Sequence, residues 1–128
     1  MFKTIALIDD DKSLLSSLSI RLEDEGFSVE TYENGADALE SLVRKPVDLA
    51  VIDVKMPRMD GWELLRELNK APQFPVIMLT AARDPIDEVA ALRAGAADFI
   101  AKPFQQAVLI ERIKKCLPNT EPQHLESG

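Results

Sequence analysis

The stretch Leu49-Ala50-Val51-Ile52-Asp53-Val54-Lys55-Met56-Pro57 decides the fold. Four apolar residues run directly into one carboxylate, and a proline follows soon after. A short apolar run bounded by a turn signal reads as a strand buried on both faces of a parallel sheet. The strand covers 48–53, so Asp53 stands at its carboxyl edge, where open α/β sheets bind ligands. Asp53 is therefore read as the reacting residue, and the other polar strand ends as its equipment.

Working outward, residues 4–9 read as a first buried strand that runs into Asp9-Asp10-Asp11. Asp10 or Asp11 can cap the next helix, because a side-chain oxygen there accepts an unpaired amide of the first turn. Leu14, Leu15, Leu18 and Leu22 then share one face of a helix over 12–25, which Gly26 ends. Residues 27–32 alternate as a strand near a sheet edge. Asn34-Gly35 is a turn signal, and Ala36, Leu39, Leu42 and Val43 mark a second helix that stops at Pro46. Beyond the opening stretch, Leu64, Leu65 and Leu68 line a third helix. Residues 75–80 form a fourth strand, 84–94 a helix ended by Gly95, and 97–101 a short fifth strand. After Lys102-Pro103-Phe104, residues Val108, Leu109, Ile113 and Leu117 mark a last helix. Periodicity is lost from Pro118, so residues 1–117 are one domain and 118–128 a flexible tail or the start of a linker.

This alternation implies an α/β fold, a doubly wound five-stranded parallel sheet with helices on both faces and right-handed crossovers. In such a sheet all strand ends face one edge. Asp9 and Asp10 after strand one, Asp53 after strand three, Thr80 after strand four and Lys102 after strand five are thereby gathered in one place.

The chain's 128 residues suit one core, and 46% apolar with 29% charged residues is ordinary for a globular domain. A net charge of -7 argues against direct binding to nucleic acid, which needs clustered Lys and Arg. No run is long and apolar enough for a membrane span and the start lacks a signal-peptide pattern, so the expected location is the cytoplasm. Cys116 is alone, which excludes a disulfide framework. His124, the only histidine, falls in the tail.

Three gathered carboxylates repel one another, and a hard divalent cation removes that repulsion. Mg²⁺ suits the site, since it takes oxygen ligands and is held by one or two carboxylates. A carboxylate beside Mg²⁺ can be a nucleophile toward a phosphoryl group. Lys102 can neutralise the phosphoryl oxygens and Thr80 can donate a hydrogen bond to one. Taken singly, Asp9-Asp10-Asp11 reads equally as a helix cap, Lys102 as a surface lysine and Thr80 as an ordinary strand end. Jointly they read as a site.

The set Ile8-Asp9-Asp10-Asp11, Ile52-Asp53 with Met56-Pro57 and Met59-Asp60-Gly61, Leu79-Thr80-Ala81, Gly95-Ala96 and Lys102-Pro103-Phe104 resembles the receiver domain of two-component response regulators. The resemblance runs from Lys3 to about Leu117. It is nearest the OmpR/PhoB group, with a start similar to ChvI-type regulators of alphaproteobacteria. It implies a flavodoxin/CheY-like fold and a phosphoprotein that takes its phosphoryl group from a sensor histidine kinase on Asp53. It further implies Mg²⁺ held by Asp10, Asp53 and the backbone carbonyl of Lys55, with Asp9 acting through water. Lys102 would pair with the phosphoryl group, Thr80 would turn toward it, and Phe99 would move inward, the family's switch. The Lys102-Pro103 bond would be cis. Lys55 and Ala82 lie where side chains approach the phosphoryl group, and Lys55 is expected to affect the lifetime of the phosphorylated state.

The same resemblance implies that helix four, strand five and the last helix form a face for a homodimer on phosphorylation, with Asp98 and Arg112 in its salt bridges. Glu88, Ala97 and Val108 depart from that group's charge pattern, so apolar contacts by Ile86 and Val108 would have to serve. The chain is expected to be a stand-alone receiver or the receiver of a transcription factor, DNA binding belonging to a C-terminal domain outside it. Such a chain is a signalling phosphoacceptor, not an enzyme that turns over substrate. A rival reading, a phosphatase of the haloacid dehalogenase type, rests on Asp9-x-Asp11-x-Ser13 and leaves Asp53, Thr80 and Lys102 only partly explained. A pseudo-receiver that only binds partners is disfavoured, because no site residue is missing.

Overall fold

The computed structural model describes residues 2–81, 89–90 and 92–118. Five parallel strands form one sheet: β1 Thr4–Ile8, β2 Ser28–Tyr32, β3 Leu49–Asp53, β4 Val76–Ala81 and β5 Asp98–Lys102. Their order is β2-β1-β3-β4-β5, with Ile8 level with Tyr32 and Ile52, Asp53 with Leu79, and Thr80 with Ala101. This is the flavodoxin-like order, whose direction reverses between β1 and β3. Helices α1 (Lys12–Asp24), α2 (Gly35–Arg44), α3 (Gly61–Leu68) and a C-terminal helix (Gln106–Cys116) cover the sheet. No helix among the described residues is long and apolar enough to cross a membrane.

Strand alternation sorts the sheet's side chains into two cores. Ala6, Ile8, Ala50, Ile52 and Met78 face α2 and α3 through Leu42, Leu64 and Leu65. Ile5, Leu7, Leu49, Val51, Ile77 and Leu79 face α1 and the C-terminal helix through Leu18, Leu22, Leu109 and Ile113. All five residues of β3 are buried, as a central strand between two helical layers requires. Each fully buried Leu or Ile contributes about 1.5–3 kcal/mol, and this double core holds the polar strand ends in place.

Helices α1, α2 and α3 start where side-chain oxygens meet unpaired amides, whereas the C-terminal helix has no side-chain cap. Asp11 accepts from the Leu14 amide, Asn34 from Asp37 and Asp60 from Glu63. The turn signal Asn34-Gly35 is the helix start itself: Asn34 is the cap and Gly35 the first residue of α2. Gly26 and Gly95 have φ of +97° and +99°, the left-handed conformation expected after a helix. Lys102 closes β5 instead of following it. The edge position of β2 matches expectation. Of the helix expected over 84–94, residues 89–90 and 92–93 are helical. Ala82, Ile86, Glu88, His124 and the tail from 119 onward lie outside the described residues.

Candidate functional site

The reversal between β1 and β3 leaves a crevice at the carboxyl edge, and Asp9 and Asp53 stand on either side of it. The Asp9 amide donates to the Tyr32 carbonyl at 3.1 Å and the Val54 amide to the Leu79 carbonyl at 3.0 Å, so both acids leave strands that are still paired. Carboxylate oxygens of Asp9, Asp10 and Asp53 lie within 4.8 Å of one another. Asp9 and Asp53 are only 3% and 6% exposed, so their charges are poorly solvated. Asp10 points to solvent.

Lys102 reaches the cluster from β5. Its ammonium lies 2.9 Å from Asp9 Oδ2 and 3.4 Å from Asp53 Oδ1. Its tighter partner in this state is therefore Asp9. The other Asp9 oxygen accepts the Asp11 amide at 3.0 Å. Both Asp9 oxygens are thus engaged, while the dehalogenase-type reading still leaves Asp53, Thr80 and Lys102 only partly explained. Asp11 is spent on the α1 cap.

Burial pushes the Asp53 carboxyl up to about 6, and the neighbouring Asp9 charge adds to the rise. Lys102 and the Lys55 backbone amide, which hydrogen-bonds the carboxylate, pull the other way without prevailing. Burial alone would lower Lys102, but its hydrogen bond to Asp9 and the charges of Asp53 and Asp9 outweigh it and hold the ammonium above its ordinary value. Among the described residues, three carboxylates thus meet one ammonium. The shortfall of positive charge fits a divalent cation with oxygen ligands.

Thr80 ends the set. It is 2% exposed, and its hydroxyl has no hydrogen-bond partner among the described residues. A buried unpaired hydroxyl is costly, by roughly 1–3 kcal/mol, and calls for an explanation. An incoming oxygen-rich ligand is one. A hollow of about 750 Å³ opens at this edge, lined by Asp53, Lys55, Ala81, Lys102, Leu14 and Phe104 among others. A second, of about 520 Å³, lies on the other side of the Asp53 loop against Asp10, Asp60 and Trp62.

Two expected groups of residues are placed apart from this cluster. Phe99 is half-buried on β5, level with Met78 and packed on the α2–α3 core. Asp98 and Arg112 are together but at the opposite, amino edge, where Arg112 spans both oxygens of Asp98 at 3.0 and 2.9 Å. They pair with each other within the chain. The Lys102–Pro103 peptide bond is cis. Sequence reasoning passed over how closely Gly61 approaches Asp53: a Cβ there would overlap the Asp53 carbonyl oxygen. The signal was a glycine directly after the helix-capping Asp60.

Comparison with known proteins agrees with this geometry. The model of the response regulator receiver domain matches residues 5–114. The transcriptional regulatory protein CpxR homolog of Haemophilus influenzae is 46% identical over 113 residues, covering 88% of this chain and 49% of that protein. The receiver domain of NtrX from Brucella abortus superposes with a TM-score of 0.83 at 30% identity, covering 91% of this chain and 99% of that one. The BeF3-activated N-terminal receiver domain of Klebsiella pneumoniae RstA gives 0.84 at 28% identity, with the same coverage. The chain spans about half the length of the curated relatives it matches first. The residues that end the parallel strands, and the domain that matches around them, make this chain a member of the response regulator receiver domain family of two-component systems.

Proposed function

We propose that the chain is a phosphorylation-dependent switch whose writable position is Asp53. The carboxylate oxygen of Asp53 attacks the phosphorus of a phosphohistidine on a sensor histidine kinase. The phosphorus–nitrogen bond breaks, and its electron pair stays on the imidazole. Lys102 moves its ammonium from Asp9 toward the new phosphoryl oxygens, and the Thr80 hydroxyl donates to one of them. Asp10, Asp53 and the Lys55 carbonyl would hold Mg²⁺, with Asp9 acting through water. Bound there, the ion supplies positive charge against the equatorial oxygens. The same groups support phosphorylation from a small acyl phosphate and the later hydrolysis.

Turning Thr80 inward leaves room that Phe99 fills, and this alters the face around β5 and the C-terminal helix. On that face Val89, Leu92 and Val108 are exposed, and the Asp98–Arg112 pair is available for rearrangement into a homodimer contact. Output would be transcription through a DNA-binding domain outside this chain, in the cytoplasm; the longer relatives named as transcriptional regulators support that reading.

The observation that carries the proposal is the Thr80 hydroxyl, buried and without a partner among the described residues, at the same sheet edge as an acid cluster that meets one ammonium among them. The test is intact mass after incubation with acetyl phosphate and Mg²⁺. One phosphoryl adduct is expected in the wild type and none in Asp53→Asn. An adduct that survives the substitution overturns the assignment.

A further inference from the structure

We infer that Gly35 and Gly61 are positioning residues that clamp the Asp53 loop, and so set where the phosphoacceptor and the Lys55 backbone stand. The inference rests on the reading of Asp53 as the phosphoacceptor, but its evidence is separate. The segment from Val54 to Asp60 carries no regular structure, yet it holds Asp53's carboxylate through the Lys55 amide. A loop with that task needs outside support, because functional groups must be held within about 0.5 Å of their working geometry.

Two helix starts provide it. At α3 the Gly61 amide donates to the Val54 carbonyl at 2.8 Å. A Cβ on Gly61 would overlap the Asp53 carbonyl oxygen and lie 2.8 Å from Val54 Cα. Both neighbours are backbone, so the strand end itself would have to move. At α2 a Cβ on Gly35 would lie 3.0 Å from the Met59 carbonyl oxygen, with Met59 Cγ and Cβ at 3.1 and 3.2 Å. Here a displacement of a few tenths of an ångström suffices. Both glycines are buried. Gly61 has no positive φ and neither does Gly35, so close approach, not backbone conformation, is what demands glycine at both positions. The loop is gripped at one end by α3 and near the other by α2, and each grip depends on a missing side chain.

The experiment compares Gly61→Ala, Gly35→Ala and Leu22→Ala with the wild type. Leu22 is fully buried in the opposite core and serves as the control for lost stability alone. The readouts are Mg²⁺ affinity by calorimetry, the rate of phosphorylation by acetyl phosphate, and amide hydrogen exchange at Lys55 and Gly61 without metal. Displacing a reacting group by about 1 Å can cost roughly 100-fold. Gly61→Ala is expected to slow phosphorylation about 10- to 100-fold and Gly35→Ala about 3-fold. Both are expected to weaken Mg²⁺ binding and speed exchange at Lys55, while Leu22→Ala changes neither. Wild-type-like values in Gly61→Ala, or equal losses in Leu22→Ala, overturn the clamp. If Gly61→Ala does not fold, Gly35→Ala against Leu22→Ala decides. If the wild type itself takes no phosphoryl group, the reading of Asp53 fails, and Lys55 exchange in Gly35→Ala still decides the clamp: faster supports it, unchanged overturns it.

Discussion

The two edges of this one sheet use the same kinds of residue to opposite ends. At the amino edge, polar groups find partners. The Asp48 carboxylate accepts the Thr4 amide at 2.7 Å. Asp98 takes both the Phe99 amide and the Arg112 guanidinium, and the Ala97 amide meets the Val76 carbonyl at 2.8 Å. At the carboxyl edge the same strands end in groups that, among the described residues, are underpaired: buried Asp53 pushed up to about 6, buried Thr80 with no partner for its hydroxyl, and three acids against one ammonium. One edge stabilises the fold and the other holds unfavourable energy that a ligand can relieve. Poorly satisfied groups retained within a well-packed domain mark the places where function constrains the sequence.

The largest test of that contrast is pH. Because Asp53 titrates near 6 in the fold against an ordinary 3.8, the folded state binds more protons between those values. Its contribution to stability is full below about 4 and is lost as pH rises through about 6. Urea unfolding of the metal-free protein is expected to lose about 3 kcal/mol over that range from this group. Mg²⁺ should flatten the loss. A metal-free stability that rises steadily from pH 4 to 7 sinks the account of the carboxyl edge. Lys102, whose pKa is raised as well, contributes in the same sense, but its share is lost only in the alkaline range.

Next in size is Lys102→Ala, which leaves the buried acids without their ammonium. Breaking a buried pair from one side is strongly destabilising, and the 30% exposure of Lys102 reduces the effect to about 2 kcal/mol. Saturating Mg²⁺ is expected to restore much of it. A loss that Mg²⁺ leaves untouched would mean that lysine and metal do not share a task.

The smallest and sharpest comparison sets Thr80→Val against Asp48→Ala. The first removes an unpartnered buried hydroxyl and keeps the shape, so metal-free stability should hold or rise by about 1 kcal/mol. The second leaves the Thr4 amide unpaired and should cost about 1 kcal/mol. Chemical denaturation reads both. If Thr80→Val costs as much as Asp48→Ala, its hydroxyl is already satisfied and the two edges are alike.

Much of this was legible in the chain alone. Period-two alternation within strands and three-to-four spacing within helices reflect which side chains must leave water, a local property of sequence. Asp53 ending an unbroken apolar run, Asp11 ahead of Leu14 and Leu15, and Gly26 after the α1 face could all be read that way. The turn signal at Asn34-Gly35 suits a turn and a helix cap alike, and in the fold Asn34 caps α2 with Gly35 close against Met59. Asp98 and Arg112 were expected in the salt bridges of a homodimer face; that β5 and the C-terminal helix also bring them to each other within the chain, across 14 residues, was not legible.

By itself, then, the sequence determined the alternation of elements, the parallel sheet and the gathering of Asp9, Asp10, Asp53, Thr80 and Lys102 at one edge, because strand direction is settled by helical crossovers. Only the tertiary structure decided the pairings at that edge: Lys102 on Asp9 before Asp53, Thr80 on no partner among the described residues, and two glycines against the Asp53 loop. These depend on distances of a few tenths of an ångström between residues far apart in the chain. Hydrophobic pattern carries no information at that scale, and close packing does.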